Sequence, residues 1–228
     1  MMGRIATSLA ATLVLTGCSV LPGDRTERSS ATTRQVASAE PRLSNAPATR
    51  RCLSELGLTQ ARFEPLPDEY HGGGCSTLGT VKLSALRSDE ASIGVANIGP
   101  VTCPVAETFA GWVRYGADRA ARQILGSPLR SIETMGSYSC RNVGGSGRLS
   151  AHATADAVDI AAFVLEDGRR ISVTGGWNGG ASDEREFLRV VHQSACKRFG
   201  TVLGPDYNAA HYDHFHVEKV IDSRSYCR

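Results

Sequence analysis

Two stretches place the strongest demand on any fold this chain can adopt: Ser150-Ala-His152-Ala-Thr-Ala-Asp156-Ala-Val-Asp159 and His211-Tyr-Asp213-His214-Phe-His216. They hold four of the 6 histidines and lie far apart in sequence. Histidine and carboxylate at these spacings are the ligands a first-row metal such as zinc requires. To share one ion the two stretches must meet, and the rest of the chain has to position that meeting.

A catalytic zinc site has three protein ligands and keeps a fourth position open. His152, Asp159 and His216 provide such a set. The small neighbours Ala153, Ala155 and Ala157 allow a close approach of backbone and metal. His214 and His216 are two apart, so on a strand they project from one face. Asp213 and His214 then fall near the open position, where one of them should take a proton from bound water and pass it to a leaving amine. Asp213 precedes His216 by three residues and in an ideal strand would face the other way. It serves the site only if the strand begins after it. His214 is the easier base by geometry, and His211 a weaker candidate.

The scaffold around these motifs reads as α+β. Cys52 to Leu56 looks helical and is stopped by Gly57, and His71-Gly-Gly-Gly74 is a turn. Thr102 is placed to cap a long helix with Pro104 in its first turn, an apolar stripe through Phe109, Trp112 and Ile124, and a stop at Gly126. Ser131 to Cys140 reads as a strand and Ala157 to Leu165 as a central one. Asp167-Gly168 turns the chain into Arg170 to Val173, and Ser182 caps a second helix to about Arg198. Val202-Leu203 and Phe215 to Ile221 are further strands. Trp177 sits in a Gly-rich loop, at the rim of a groove or packed in the core. Helices and hairpins mix without a regular βαβ alternation.

The N-terminus speaks of transport. Arg4 precedes an apolar run, Ile5 to Thr16, that is too short for a permanent span but suits a secretory signal. It ends in Leu15-Thr16-Gly17-Cys18, which resembles the bacterial lipobox; a lipidated Cys18 would anchor the chain stably. Ser19 in place of Asp directs such lipoproteins to the outer membrane of a double-membrane bacterium. Residues 18–51 lack a hydrophobic period and read as a flexible tether, leaving 1–17 as signal peptide and 52–228 as one domain. The formal net charge of +2 points to no nucleic-acid partner.

With Cys18 committed to lipid, Cys52, Cys75, Cys103, Cys140, Cys196 and Cys227 remain. An even number in an exported domain argues for three disulfides, and the spread is too wide for a zinc ribbon. Cys52–Cys75 is the preferred pair, since it brackets a self-contained loop worth roughly 3 kcal/mol. Cys140–Cys196 is a second guess.

Ser-x-His-x6-Asp followed by Asp-x-x-His resembles the zinc signature of the D-alanyl-D-alanine peptidase, lysostaphin-type and hedgehog superfamily. A wider pattern runs through Cys103-Pro, Gly-Ser-Tyr-Ser-Cys140-Arg141, Ser150-Ala-His152, Ala-Val-Asp159-Ile-Ala-Ala-Phe, Val202-Leu-Gly-Pro and the His216 motif. It is similar to the bacterial extensin-like C-terminal domain family. The resemblance implies a zinc site of His152, Asp159 and His216 on a small antiparallel sheet flanked by helices. It also implies Asp213 as general base, where several superfamily members carry Glu, and Arg141 and Ser150 at the substrate.

The expected function is that of a lipid-anchored zinc peptidase cleaving amide bonds in peptidoglycan stem peptides or cross-links, as a carboxypeptidase or an endopeptidase. The alternative is a non-catalytic wall-binding or envelope-assembly lipoprotein that keeps zinc for structure. Hydrolysis of a small dipeptide is a third, weaker option. Oligomeric state is not legible.

Overall fold

The computed structural model describes residues 42–228. The expected signal segment, Cys18 and most of the expected tether lie outside the described residues. Helix α1 (Pro47–Leu58) opens the chain, starting with Pro at its first turn and burying Cys52 and Leu56. The expected domain boundary at Cys52 falls inside this helix, and Gly57 does not end it. Ahead of it, the Asp68 N–H donates to the Arg42 carbonyl at 3.0 Å.

Strand β1 (Arg62–Pro65) leads to a separate hairpin of β2 (Glu69–Gly72) and β3 (Cys75–Thr77). The Gly72-Gly73-Gly74 turn has φ of 78°, 57° and 86°, which is why glycine fills it. Strands β4 (Thr80–Arg87), β5 (Ser92–Ala96) and β6 (Val101–Thr102) follow. Helix α2 (Cys103–Trp112) then continues through wide π-helical turns at Val113–Asp118 and Ala121–Leu125. Gly126 ends this helical run at φ 71°, as expected from sequence. Thr102 differs from expectation, because its hydroxyl donates to Asp156 Oδ1 at 2.7 Å instead of capping α2.

Strand β7 (Leu129–Gly136) is shorter than the sequence suggests, since Gly136 at φ 112° turns the chain out of the sheet before Ser137. A 3-10 turn (Ala151–Thr154) precedes β8 (Ala157–Leu165) and β9 (Arg170–Ser172). Helices α3 (Val173–Gly179) and α4 (Ser182–Ala195) come next. Trp177 therefore lies on a helix and is buried, its Nε1–H donating to Asp206 Oδ1 at 2.8 Å while the Arg189 guanidinium stacks 3.5 Å from its ring centre. Strands β10 (Phe199–Leu203), β11 (Phe215–Val220) and β12 (Tyr226–Cys227) complete the chain.

The class is α+β, but the sheet is neither small nor wholly antiparallel. Ten strands form it, in the order β1-β4-β5-β7-β8-β11-β10-β12, with β6 beside β4 and β9 beside β8. β5 runs parallel to β7 and β10 parallel to β12. The connection from β5 to β7 contains α2, and a helical crossover of that length returns a strand in the parallel sense.

An aromatic cluster joins helices to sheet: Phe163 lies 5.2 Å from Phe187 and 6.2 Å from Trp112, ring centre to ring centre. β8 achieves this through a bulge. Ala162 pairs with Glu133 and Ile160 with Thr134, so Ala161 is an extra residue and the alternation of faces shifts there. Ile160 and Phe163 both reach the core, while Asp159 is left on the opposite face.

The disulfides are Cys52–Cys103, Cys75–Cys140 and Cys196–Cys227, so neither Cys52–Cys75 nor Cys140–Cys196 forms. Helix packing of α1 on α2 sets the first pair, and the β2–β3 hairpin meeting the segment after β7 sets the second. Proximity in sequence is a poor guide once a sheet of this size brings distant strands together.

Candidate metal centre

His152 owes its position to a short, heavily tied turn. The buried Ser150 hydroxyl accepts from the His152 N–H at 3.3 Å, and Ala155, in the left-handed region at φ 57°, closes the turn. Ser139 N–H donates to the His152 carbonyl at 3.0 Å. The His152 ring Nδ1 lies 3.2 Å from the Ser137 carbonyl, which can only accept, so Nδ1 carries the proton. In the neutral ring this leaves the Nε2 lone pair facing inward.

The other two candidate ligands come from a strand pair. Asp159 on β8 and His216 on β11 are directly opposite in the antiparallel ladder. Their side chains share the face away from the aromatic core, because Phe215 and Val217 alternate with His216 into that core. His216 Nδ1 is 2.9 Å from Asp159 Oδ1 and 3.1 Å from His152 Nε2, and His152 Nε2 is 3.2 Å from Asp159 Oδ2. All three ligand atoms lie within 4.8 Å of one another. The outer nitrogen of His216, Nε2, is 3.2 Å from Glu218 Oε2.

The donor set fits a cation. Each imidazole has an acceptor at its outer nitrogen, and each turns its inner nitrogen toward a carboxylate. Burial opposes the charge on Asp159, yet the His152 and His216 imidazoles beside it outweigh that and hold the carboxyl well below the usual range. Burial likewise pulls His216 down, but Asp159 and Glu218 together raise it to about 9. A field that holds a proton there so firmly equally favours a metal ion.

The flanking residues fall as follows. β11 begins at Phe215, so Asp213 lies in the preceding turn and meets the condition set by the sequence. Its Oδ1 is 2.8 Å from His214 Nδ1, while His214 Nε2 points to Asp159 Oδ1 at 3.5 Å. Within the pair, His214 reaches the centre and Asp213 holds it from behind. His211 sits beside them, 5.2 Å from His214 between ring centres, with Nδ1 2.7 Å from Asn208 Oδ1. Burial and the neighbouring His214 and His216 push its pKa down to about 4. Arg141 is exposed, and among the described residues its guanidinium hydrogen-bonds only to the Asn142 carbonyl, at 3.4 Å. Ser150, by contrast, is inside and occupied with His152.

Sequence reasoning missed Glu218 and Ser137. Glu218 was legible in principle, since it follows His216 by two residues and so shares its face. Ser137 contributes a backbone carbonyl, which no residue type announces.

A second group, His192, Cys196 and Cys227, is also close enough to hold a metal. Its two sulfurs are bonded to each other as Cys196–Cys227, so it offers no thiolate. His192 itself is buried against Trp177 and Phe215, and its Nε2 has no hydrogen-bond partner among the described residues.

No curated protein and no solved structure matches the chain. A family model does: the one described as Extensin-like protein C-terminus matches residues 50–228, which takes in the whole of the site. The chain belongs to the extensin-like protein C-terminal family.

Proposed function

We propose that this protein is a zinc-dependent peptidase acting on peptidoglycan stem peptides or their cross-links, related to the D-alanyl-D-alanine peptidase and hedgehog superfamily. The observation that carries the reading is the convergence of His152 Nε2, His216 Nδ1 and an Asp159 carboxylate within hydrogen-bonding distance, each imidazole engaged at its outer nitrogen. Zinc is the ion of choice for two imidazoles and a carboxylate, and when bound it supplies Lewis acidity for a carbonyl. His152, Asp159 and His216 would hold it.

The remaining roles follow from the chain's own side chains. His214 Nε2 faces the centre and is the group placed to accept a proton and return it to the leaving amine. Asp213 orients His214 through Nδ1. Resemblance implies Asp213 as the base, and His214 is preferred here for a local reason: the Asp213 carboxylate is engaged with His214 Nδ1, on the side away from Asp159. Arg141, exposed and without a carboxylate partner among the described residues, is suited to hold a substrate carboxylate. Export through residues 1–17 and anchoring at Cys18 would put the domain against the cell wall.

The test uses the full-length chain with purified sacculi, and muropeptides read by mass spectrometry. Release or shortening of peptides that is abolished by chelator and by His214→Ala is the expected result. Capture on sacculi with no bond cut, by the zinc-loaded protein, would replace this reading with the wall-binding one. Labelling with radioactive palmitate that survives Cys18→Ala would overturn the anchor.

A further inference from the structure

Strand β11 of the site carries a residue outside the metal-binding pattern. Glu218 follows His216 by two residues on β11, so both project from the same face of the sheet. Its Oε2 meets His216 Nε2 at 3.2 Å, the nitrogen that points away from Asp159 and His152. Directly opposite on β10 stands Thr201, its side chain on the same face of the sheet as Glu218. On the other side, across β8, the residue opposite is Ala157, which leaves room for the carboxylate and competes for nothing.

Glu218 is an acid of the sheet interior rather than of the surface. Its side chain is only 22 % exposed, and no lysine or arginine lies within ion-pair distance of it among the described residues. Burying a carboxylate there is costly unless its partners need it. The partner present is the His216 imidazole. A structural role alone would be met by the hydrophobic or β-branched residue that strand positions ordinarily favour.

We infer that Glu218 is the positioning residue of the metal centre, accepting the Nε2–H of His216 so that the ring presents Nδ1 as its ligand atom. An imidazole can bind metal through either nitrogen, and the hydrogen bond made by one determines which lone pair the other offers. His152 is treated in the mirror sense: the Ser137 carbonyl takes its Nδ1–H and leaves Nε2 for the ion. The centre therefore uses opposite nitrogens of its two histidines, and each choice has a named cause. The carboxylate also makes His216 a stronger electron donor than a carbonyl partner would.

This inference rests on the proposed metal site, and the experiment separates the two. Zinc affinity of the full-length chain is measured by competition with a chromogenic chelator, and the visible spectrum is recorded after loading with cobalt. The variants are Glu218→Ala, Glu218→Gln and Glu218→Met, each checked for folding by circular dichroism. Glu218→Ala should bind zinc about 10- to 100-fold more weakly and change the cobalt spectrum. Glu218→Gln, whose amide oxygen still accepts the Nε2–H, should stay near wild type. Glu218→Met fills the same space without an oxygen acceptor and should weaken binding as Glu218→Ala does; it decides the matter if Glu218→Ala does not fold. Wild-type affinity and spectrum in folded Glu218→Ala, or in Glu218→Met should that variant have to stand in for it, would overturn the inference and leave the metal site standing. Glu218→Gln as weak as Glu218→Ala would show that charge, not orientation, is what matters. A folded wild-type chain that takes up no ion would instead refute the site itself.

Discussion

The disulfide Cys75–Cys140 ties the β2–β3 hairpin to the segment that holds His152, and its removal separates stability from site geometry. Serine at both positions opens a loop with a sequence separation of 65. The loop-closure relation gives a loss of about 4 kcal/mol. For Cys196–Cys227, with a separation of 31, the same relation gives nearly the same loss, again about 4 kcal/mol. The two double-serine variants should therefore lose comparable stability in urea. Their metal sites should not respond alike. Cys140 is adjacent to Ser139, whose N–H holds the His152 carbonyl, and Ser137 supplies the acceptor for His152 Nδ1. Loosening that segment should cost on the order of tenfold or more in zinc affinity, the usual penalty for losing a ligand's outer hydrogen bond. Cys196–Cys227 braces α4 against β12 and touches none of the ligands, so its removal should leave affinity within about twofold. Equal affinity in both variants, with the expected loss of stability, would refute the claim that the bridge positions His152. Peptide mapping without reductant that returned Cys52–Cys75 would refute the pairing itself.

Three further outcomes are expected. His214→Ala should lower turnover roughly 10²- to 10⁴-fold while zinc affinity stays near wild type, because His214 faces the centre without belonging to the ligand set. Asp118 is fully buried and accepts from the Leu129 N–H and from Arg122 Nε, so Asp118→Ala should cost about 3 kcal/mol in urea unfolding and Asp118→Asn distinctly less. Burial lowers the pKa of His192, so the unfolded chain takes up its proton first and stability falls as pH drops below about 6.5. His192→Phe should flatten that acid limb, by up to about 1.4 kcal/mol per pH unit, when unfolding free energy is followed from pH 7.5 to 5. An unchanged slope would show that His192 is not the group that titrates.

Much of the site was written in the sequence. His152, Asp159 and His216 are recognisable because ligand chemistry restricts residue type and strand periodicity restricts spacing, and both constraints are local. The helical run ending at Gly126, the central strand from Ala157 to Leu165 and the strand beginning at Phe215 were legible for the same reason: propensity, periodicity and a glycine stop all act over a few residues. What tertiary structure alone decided lies across the strands. The β5–β7 crossover made the sheet mixed and wide, and the packing of α1 on α2 and of the hairpin on the β7 end chose the cystine partners. The Ala161 bulge brought Phe163 onto the core face beside Ile160. Thr102 carries a good capping side chain, yet Asp156, far along the chain, captured it. Asp213 and His214 were both visible as candidates, but which of them faces Asp159 depends on two side-chain rotations in a turn, and no spacing encodes those. Ser137 acts through its backbone and so leaves no trace in residue identity. Sequence names the groups able to do the chemistry; the contacts made over long separations settle which atom of each is offered.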